Sequence, residues 1–278
     1  MSRVEHIRRD LEDYRAAQFI TGALQDISAM RMQATRKEFE KNIGFFKDMQ
    51  QLYRIVKAYA VRTIPRGKSP KSRKTHLYVA ITSNKHFYGT LNRDIIFSLL
   101  EKLPDAKGKD CLIVGETGWQ YIKDTEHEGR CKRILFKDDM PTTQESDALL
   151  QRLNGFERVF VFYPKFVNPF RQDVTMVDIT ETPDLETEKK VSVDYILEPD
   201  IPALLTFFET AVRSMLFGHV MLESELARSA ARLMKMRNAQ ERARELATER
   251  QARLHKEIGS LADMQLLETF AGYTQWKK

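Results

Sequence analysis

Along this chain the apolar positions follow two different rhythms. Near the start they recur every three or four residues: Val4, Ile7, Leu11, Tyr14, Ala17, Leu24, Ile27, Met30 and Ala34, with a weaker step near Ile20 and Thr21. That spacing lays them along one stripe of an α-helix. No proline precedes Pro65, and the only soft points are Gly22 and Gly44, each costing about 1 kcal/mol against alanine in a helix. From His219 to Ile258 the chain again lacks glycine and proline. At 1.5 Å per residue such a stretch makes a rod of about 60 Å. Its apolar row runs through Leu226, Ala230, Leu233, Met236, Ala239, Ala243, Leu246, Leu254, Ile258 and Leu261, with Arg250 interrupting it. Seams of this kind at both ends predict that the terminal helices find each other as an antiparallel coiled coil.

Between them the rhythm changes. "RTIPRGKSPKSRK" (62–74) is basic and proline-bearing and reads as a linker or exposed loop. "THLYVAITS" (75–83), "DCLIVG" (110–115), "RCKRILFK" (130–137), "RVFVFYP" (158–164) and "VTMVDIT" (174–180) read as strands. "DIIFSLLEKL" (94–103), "GWQYIKD" (118–124) and "TTQESDALLQRL" (142–153) read as helices, the last opening on cap-type residues. Alternation of this kind predicts a layered α/β fold. The expected organisation is an N-terminal coiled-coil helix over 1–62, an inserted α/β Rossmann-like domain over 75–192 and a C-terminal coiled-coil helix over 201–270.

The chain has 278 residues and a formal charge of +6, which favours acidic partners without choosing among nucleic acid, anionic lipid and protein. Cys111 and Cys131 make no disulfide framework and no C-x-x-C pair. They read as small buried hydrophobes in a reducing compartment. Apolar runs such as "VFVFY" (159–163) fall far short of the roughly twenty residues a bilayer needs. "MSRVEHIRRDLEDYR" mixes acids and bases around no apolar core, so neither a secretory signal nor a transit peptide is expected. The protein is expected on the cytoplasmic side of a bacterial-type cell.

Candidate chemistry is thin. "GETG" (115–118) follows a strand but lacks G-x-G-x-x-G spacing, and "GKS" (67–69) has Arg62 where a phosphate loop needs its first glycine and Pro70 where its helix begins. His76 and His86 flank the first strand, with no cysteine or carboxylate at metal-ligand spacing. Asp138, Asp139 and Glu145 read as loop and cap residues, and no nucleophile stands beside a base. No catalytic residue, cofactor or metal is expected. The bases of the second rod (Arg228, Arg232, Lys235, Arg237, Arg242, Arg244, Arg250 and Arg253) read as a solvated face balanced by Glu225, Glu241, Glu245 and Glu249.

Five stretches, in order, carry a resemblance: "ITGALQDISAMRM" (20–32), "ITSNKHFYGTLN" (81–92), "FVFYPKFVN" (160–168), "VDYILEPD" (193–200) and "SAARLMKMRNA" (229–239). Together they resemble the gamma subunit family of F-type ATP synthases, in which two coiled terminal helices flank an α/β domain. This chain departs from the family's pattern at Asn84, His86, Tyr88 and Thr90, at Gly22 and at its last residues, "LLETFAGYTQWKK". It therefore resembles a divergent or alternative-operon form. The resemblance implies a non-catalytic central rotor shaft. Such a shaft couples ion flow through the membrane ring to ATP synthesis or hydrolysis on other chains. Its partners would be the alpha and beta subunits, the epsilon subunit and the c-subunit ring, with no nucleic acid, at the cytoplasmic face of the bacterial inner membrane. Arg31, Arg232, Lys235, Arg250, Gln251 and Glu257 are the expected contacts with the alpha/beta sleeve. His86, Tyr88, Gly89 and Asn92 are the expected foot or docking loop. Two other readings remain open at this level: a basic coiled-coil adaptor for nucleic acid or an acidic protein, and an enzyme with an unrecognised site in the α/β domain.

Overall fold

The computed structural model describes residues 3–63, 76–103, 110–153, 155–180 and 200–276. The 64–74 part of the expected linker, and 193–199 of the "VDYILEPD" stretch, lie outside the described residues. Two helices dominate: α1 (Arg3–Thr63) and α5 (Ile201–Trp276). Between them come β1 (His76–Ile81), α2 (Leu91–Lys102), β2 (Asp110–Val114), α3 (Glu116–Ile122), β3 (Cys131–Ile134), α4 (Thr143–Leu153), β4 (Arg158–Asn168) and β5 (Arg171–Asp178). By packing, the chain divides into two units: Met1–Ser28 with Leu233–Lys278, and Ala29–Arg232.

In the larger unit a five-stranded sheet has the order β3-β2-β1-β4-β5. The first four of these strands are parallel neighbours, and β5 returns antiparallel from β4. Alternation along β1 separates the two faces. Leu77, Val79 and Ile81 join Val159, Val161 and Tyr163 in a core with Val212, Leu216, Phe217, Val220 and Met221 of α5 and Tyr53 of α1. Tyr78 and Ala80 face the other way, onto Ile95, Ile96 and Leu99 of α2 and Ile122 of α3. Residues 220–231 of α5 are buried without a break. Cys111 and Cys131 are register partners on β2 and β3, buried and unbridged. The hydrogen bond between them, together with burial, pushes the Cys111 thiol up. Thr142 and Glu145 close a capping box on α4: each backbone N–H is held by the other's side chain.

Within this unit α1 runs antiparallel to α5. Arg31 meets Glu225, Phe39 and Phe46 stack on His219, and Tyr53 meets Phe208. Burial lowers the pKa of His219, against the opposing charge of Glu223 at 3.8 Å. A lowered folded pKa means that the unfolded chain takes up the proton first. The contribution is therefore complete above the unfolded value and is lost as pH falls through the folded one. His219→Gln is expected to flatten the loss of stability between about pH 7 and pH 5. Urea melts at both pH values check this, and equal slopes for the two proteins would contradict it.

In the smaller unit the direction is the same. Arg3 pairs with Glu257 at 3.2 Å, Asp10 with Arg250 at 3.4 Å, and Arg15 donates to Gln251 at 3.2 Å. The seam follows the expected apolar row through Val4, Ile7, Leu11 and Tyr14 and then departs from it. It keeps strict three–four alternation through Val4, Ile7, Leu11, Tyr14, Gln18, Thr21, Gln25 and Ser28, all buried or half-buried. Ala17 is exposed, and so is Ile27, at 44 %. On α5 the seam passes Ala243 to Ala247, Arg250 and Leu254, leaving Leu246 outside. Ala243 and Ala247 present little side chain of their own to this seam. Thr21 and Ser28 return their hydroxyls to the carbonyls of Ala17 and Leu24. Gly22 leaves room for Gln240, whose amide lies 2.6 Å from where a Cβ would stand.

By length and composition alone, one 18-residue window of α5, with mean hydropathy 1.2, is apolar enough to cross a membrane.

Candidate functional site

The chain's chemistry gathers where β1 runs out. Thr82 donates its hydroxyl to the carbonyl of Val114 at 2.6 Å, and Asn92 donates to the Ser83 hydroxyl at 2.7 Å. Asn84 bridges three segments. Its backbone N–H donates to the Asp139 carboxylate at 2.6 Å, its amide to the Phe136 carbonyl at 2.9 Å, and its side-chain oxygen accepts from the Glu116 N–H. Lys85 pairs with Asp138, and that hydrogen bond holds the Asp138 carboxyl below the usual carboxylate range. Tyr88 points inward and donates to Asp139 at 2.8 Å. Burial, then the charge of Asp139, raise the Tyr88 phenol well above its ordinary value, so it remains an O–H donor.

Beneath this loop lies Arg228, with none of its surface exposed. Its guanidinium donates to the carbonyls of Thr82 and Asp139, each at 3.2 Å, and to Glu225 at 3.1 Å. The solvated-face reading of Arg228 and Glu225 is therefore corrected. Both fall on the stretch of α5 that the sheet covers, and periodicity in α5 alone carries no sign of that cover. Asp139 lies in a loop as expected, but buried, where it anchors its neighbours. The two glycines of "GETG" serve close approach: a Cβ on Gly115 would stand 2.8 Å from the Thr82 carbonyl carbon, and one on Gly118 would collide with the Thr82 side chain.

The expected contact residues divide by exposure. Of the loop four, His86 and Gly89 are exposed, whereas Tyr88 and Asn92 are buried. The loop residue that sequence reasoning missed is Phe87, which is 59 % exposed at a φ of +74°. Of the rod six, Lys235 is exposed and Arg31 half turns to Glu225. Arg232 lies over the Tyr88 ring at 5.8 Å. Arg250, Gln251 and Glu257 engage Asp10, Arg15 and Arg3 of α1. The two long helices also expose large apolar side chains: Phe19 (79 %) and Ile20 on α1, and Leu261, Met264, Leu267, Phe270 and Tyr273 on α5. Among the described residues no group of three or more His, Cys, Asp or Glu is placed to hold a metal ion.

A family model described as ATP synthase matches residues 3–261. The chain belongs to that family. Among its relatives, the ATP synthase gamma chain of Psychrobacter sp. (strain PRwf-1) is 23 % identical, with 94 % of this chain and 97 % of the relative covered. That of Desulforamulus reducens is 24 % identical over the same shares. The fold is shared with solved structures. One chain of the Tetrahymena thermophila mitochondrial ATP synthase central stalk and c ring aligns at a TM-score of 0.57 and 20 % identity, covering 79 % of this chain and 99 % of that one. A chain of the Euglena gracilis mitochondrial enzyme aligns at 0.56 and 16 %, covering 91 % and 94 %. Within the ATP synthase family this is a gamma-type chain, a non-catalytic component of a membrane-associated complex. The nucleic-acid adaptor reading finds no support in these matches.

Proposed function

We propose that this chain turns as the rotor shaft between a c-subunit ring and a sleeve of alpha and beta subunits, with the epsilon subunit beside it, at the cytoplasmic face of a bacterial inner membrane. One observation carries the reading: in each unit α1 and α5 run side by side in opposite directions, joined by paired side chains. Two hydrogen-bonded helices resist bending and twisting as one does not. In this reading 1–62 and 201–270 form the shaft and 75–192 its hub. Lys235, Arg31 and Arg232, with the exposed apolar residues of α1 and α5, face the sleeve. Arg250, Gln251 and Glu257 hold the helix pair together and offer the sleeve only their solvent edges.

The 83–92 loop is tied to Arg228, 27 residues after Ile201. That is about 40 Å along α5, away from the end of the hub where α1 stops and α5 starts. This separation supports assigning His86 and Gly89, with Tyr88 and Asn92 behind them, to the sleeve-facing rim. The foot on the ring then falls to the Thr63 and Ile201 end. Coupling requires that catalytic conformations of the sleeve contact the shaft differently.

The test is reconstitution with the cognate alpha and beta subunits. ATP hydrolysis is expected to be fast and cooperative with the chain, and at least tenfold slower without it. Equal and equally cooperative rates would end the rotor reading.

A further inference from the structure

An arginine with no exposed surface is costly in a protein interior unless its charge is answered. The two terminal nitrogens of Arg228 are answered from three elements: Glu225 on its own helix, the Thr82 carbonyl after β1, and the Asp139 carbonyl before α4, while its buried Nε has no partner. Glu225 in turn meets Arg31 of α1 at 3.7 Å and accepts from Ser229 at 3.5 Å. The Asp139 carboxylate then reaches onward to the Asn84 N–H and the Tyr88 hydroxyl. A continuous polar path thus runs from both long helices to the two ends of the 84–88 loop. Apolar side chains of similar size would hold helix and sheet together at least as well. What they would not do is fix the direction of a loop that buries little apolar surface of its own.

That loop is held against its own preferences. Phe87 stands at φ +74°, in a region that bulky side chains avoid, and its ring is turned outward, 59 % exposed. Folding gains little from an aromatic ring left in water, and strain of this kind persists only where the flanks over-determine it. Here the flanks are Asn84, Lys85 and Tyr88, each anchored to Asp138 or Asp139.

We propose that Arg228 is a positioning residue. Through Asp139 and Tyr88 it locks the 84–89 loop to the helix pair, so that His86 and Phe87 form a rigid contact face that moves with the shaft. The proposal rests on the rotor reading for its use, but the locking itself is a property of this chain alone.

Amide hydrogen exchange on the full chain tests the locking directly. In Arg228→Met, exchange at 84–89 is expected to quicken at least tenfold more than exchange in β1 and β4. Tyr88→Phe, which removes one hydroxyl, is expected to do the same with Arg228 intact. Arg228→Lys, which keeps the charge and one donor direction, is expected to restore part of the protection. A purely structural arginine would instead loosen the sheet as a whole and leave Tyr88→Phe silent; that pattern, or unchanged exchange at 84–89, overturns the proposal. Should Arg228→Met not fold, Tyr88→Phe decides alone. In the assembled complex the same variants, with Phe87→Ser, are expected to lower ion pumping per ATP hydrolysed by severalfold. If locking is seen but the wild-type chain supports no coupled activity, the rotor reading fails and the locking stands.

Discussion

Glu225→Ala is expected to cost about 3 to 5 kcal/mol of folding stability, the usual loss when one partner of a buried ion pair is removed. Glu225 is the carboxylate that answers Arg228, and only 1 % of the Arg228 side chain and 7 % of the Glu225 side chain reach solvent. Without it the guanidinium keeps two carbonyls but loses its counter-charge. The outer partner behaves differently. Arg31 is 43 % exposed and 3.7 Å from Glu225, so Arg31→Ala should cost less than about 1 kcal/mol. Replacing both inner partners with apolar residues, Glu225→Leu with Arg228→Met, should recover most of the loss, because no charge is then left buried. Denaturant melts of the three variants measure this. A Glu225→Ala protein within about 1 kcal/mol of the parent would show that water reaches Arg228 after all.

Gly115→Ala is expected to destabilise the sheet-bearing unit by about 3 kcal/mol, roughly a 6–12 °C fall in melting temperature for a unit of this size. Gly115 has φ +103° and ψ 146°, a conformation that essentially only glycine adopts. Its added methyl would also meet backbone, with the Thr82 carbonyl carbon at 2.8 Å and the Ser83 nitrogen at 2.9 Å. Neither can step aside without breaking the Thr82 N–H bond to the Val114 carbonyl. Gly129, which has nothing within 4 Å of an added Cβ, serves as the control: Gly129→Ala should shift the melt by no more than a few degrees. A Gly115→Ala melt as mild as that of Gly129→Ala would contradict the close-approach account.

Both effects act on one corner of the hub, and that corner shows where the sequence was legible. Local chemistry was readable: the cap-type residues that open the helix after Thr142, the strand within 75–83, the breaker-free helices at both ends. These depend on neighbours a few residues away, and the chain states them directly. The family was readable as well, because five short stretches keep their order over most of the length.

The amino-acid sequence by itself determined that two long helices would pair in opposite directions around an α/β insert. Periodicity and the absence of breakers are local facts, and each helix bears its own. Only the tertiary structure decided which residues the pairing uses. The seam holds to a fixed three–four alternation through Gln18, Thr21 and Gln25, because paired helices keep one stripe in contact along their length, and Ile27 falls outside that stripe. Only the tertiary structure, too, turned Arg228 from a surface charge into the buried anchor of that corner. Whether a charged residue on a helix meets water or a sheet depends on what the rest of the chain lays over it, and no spacing within the helix records that.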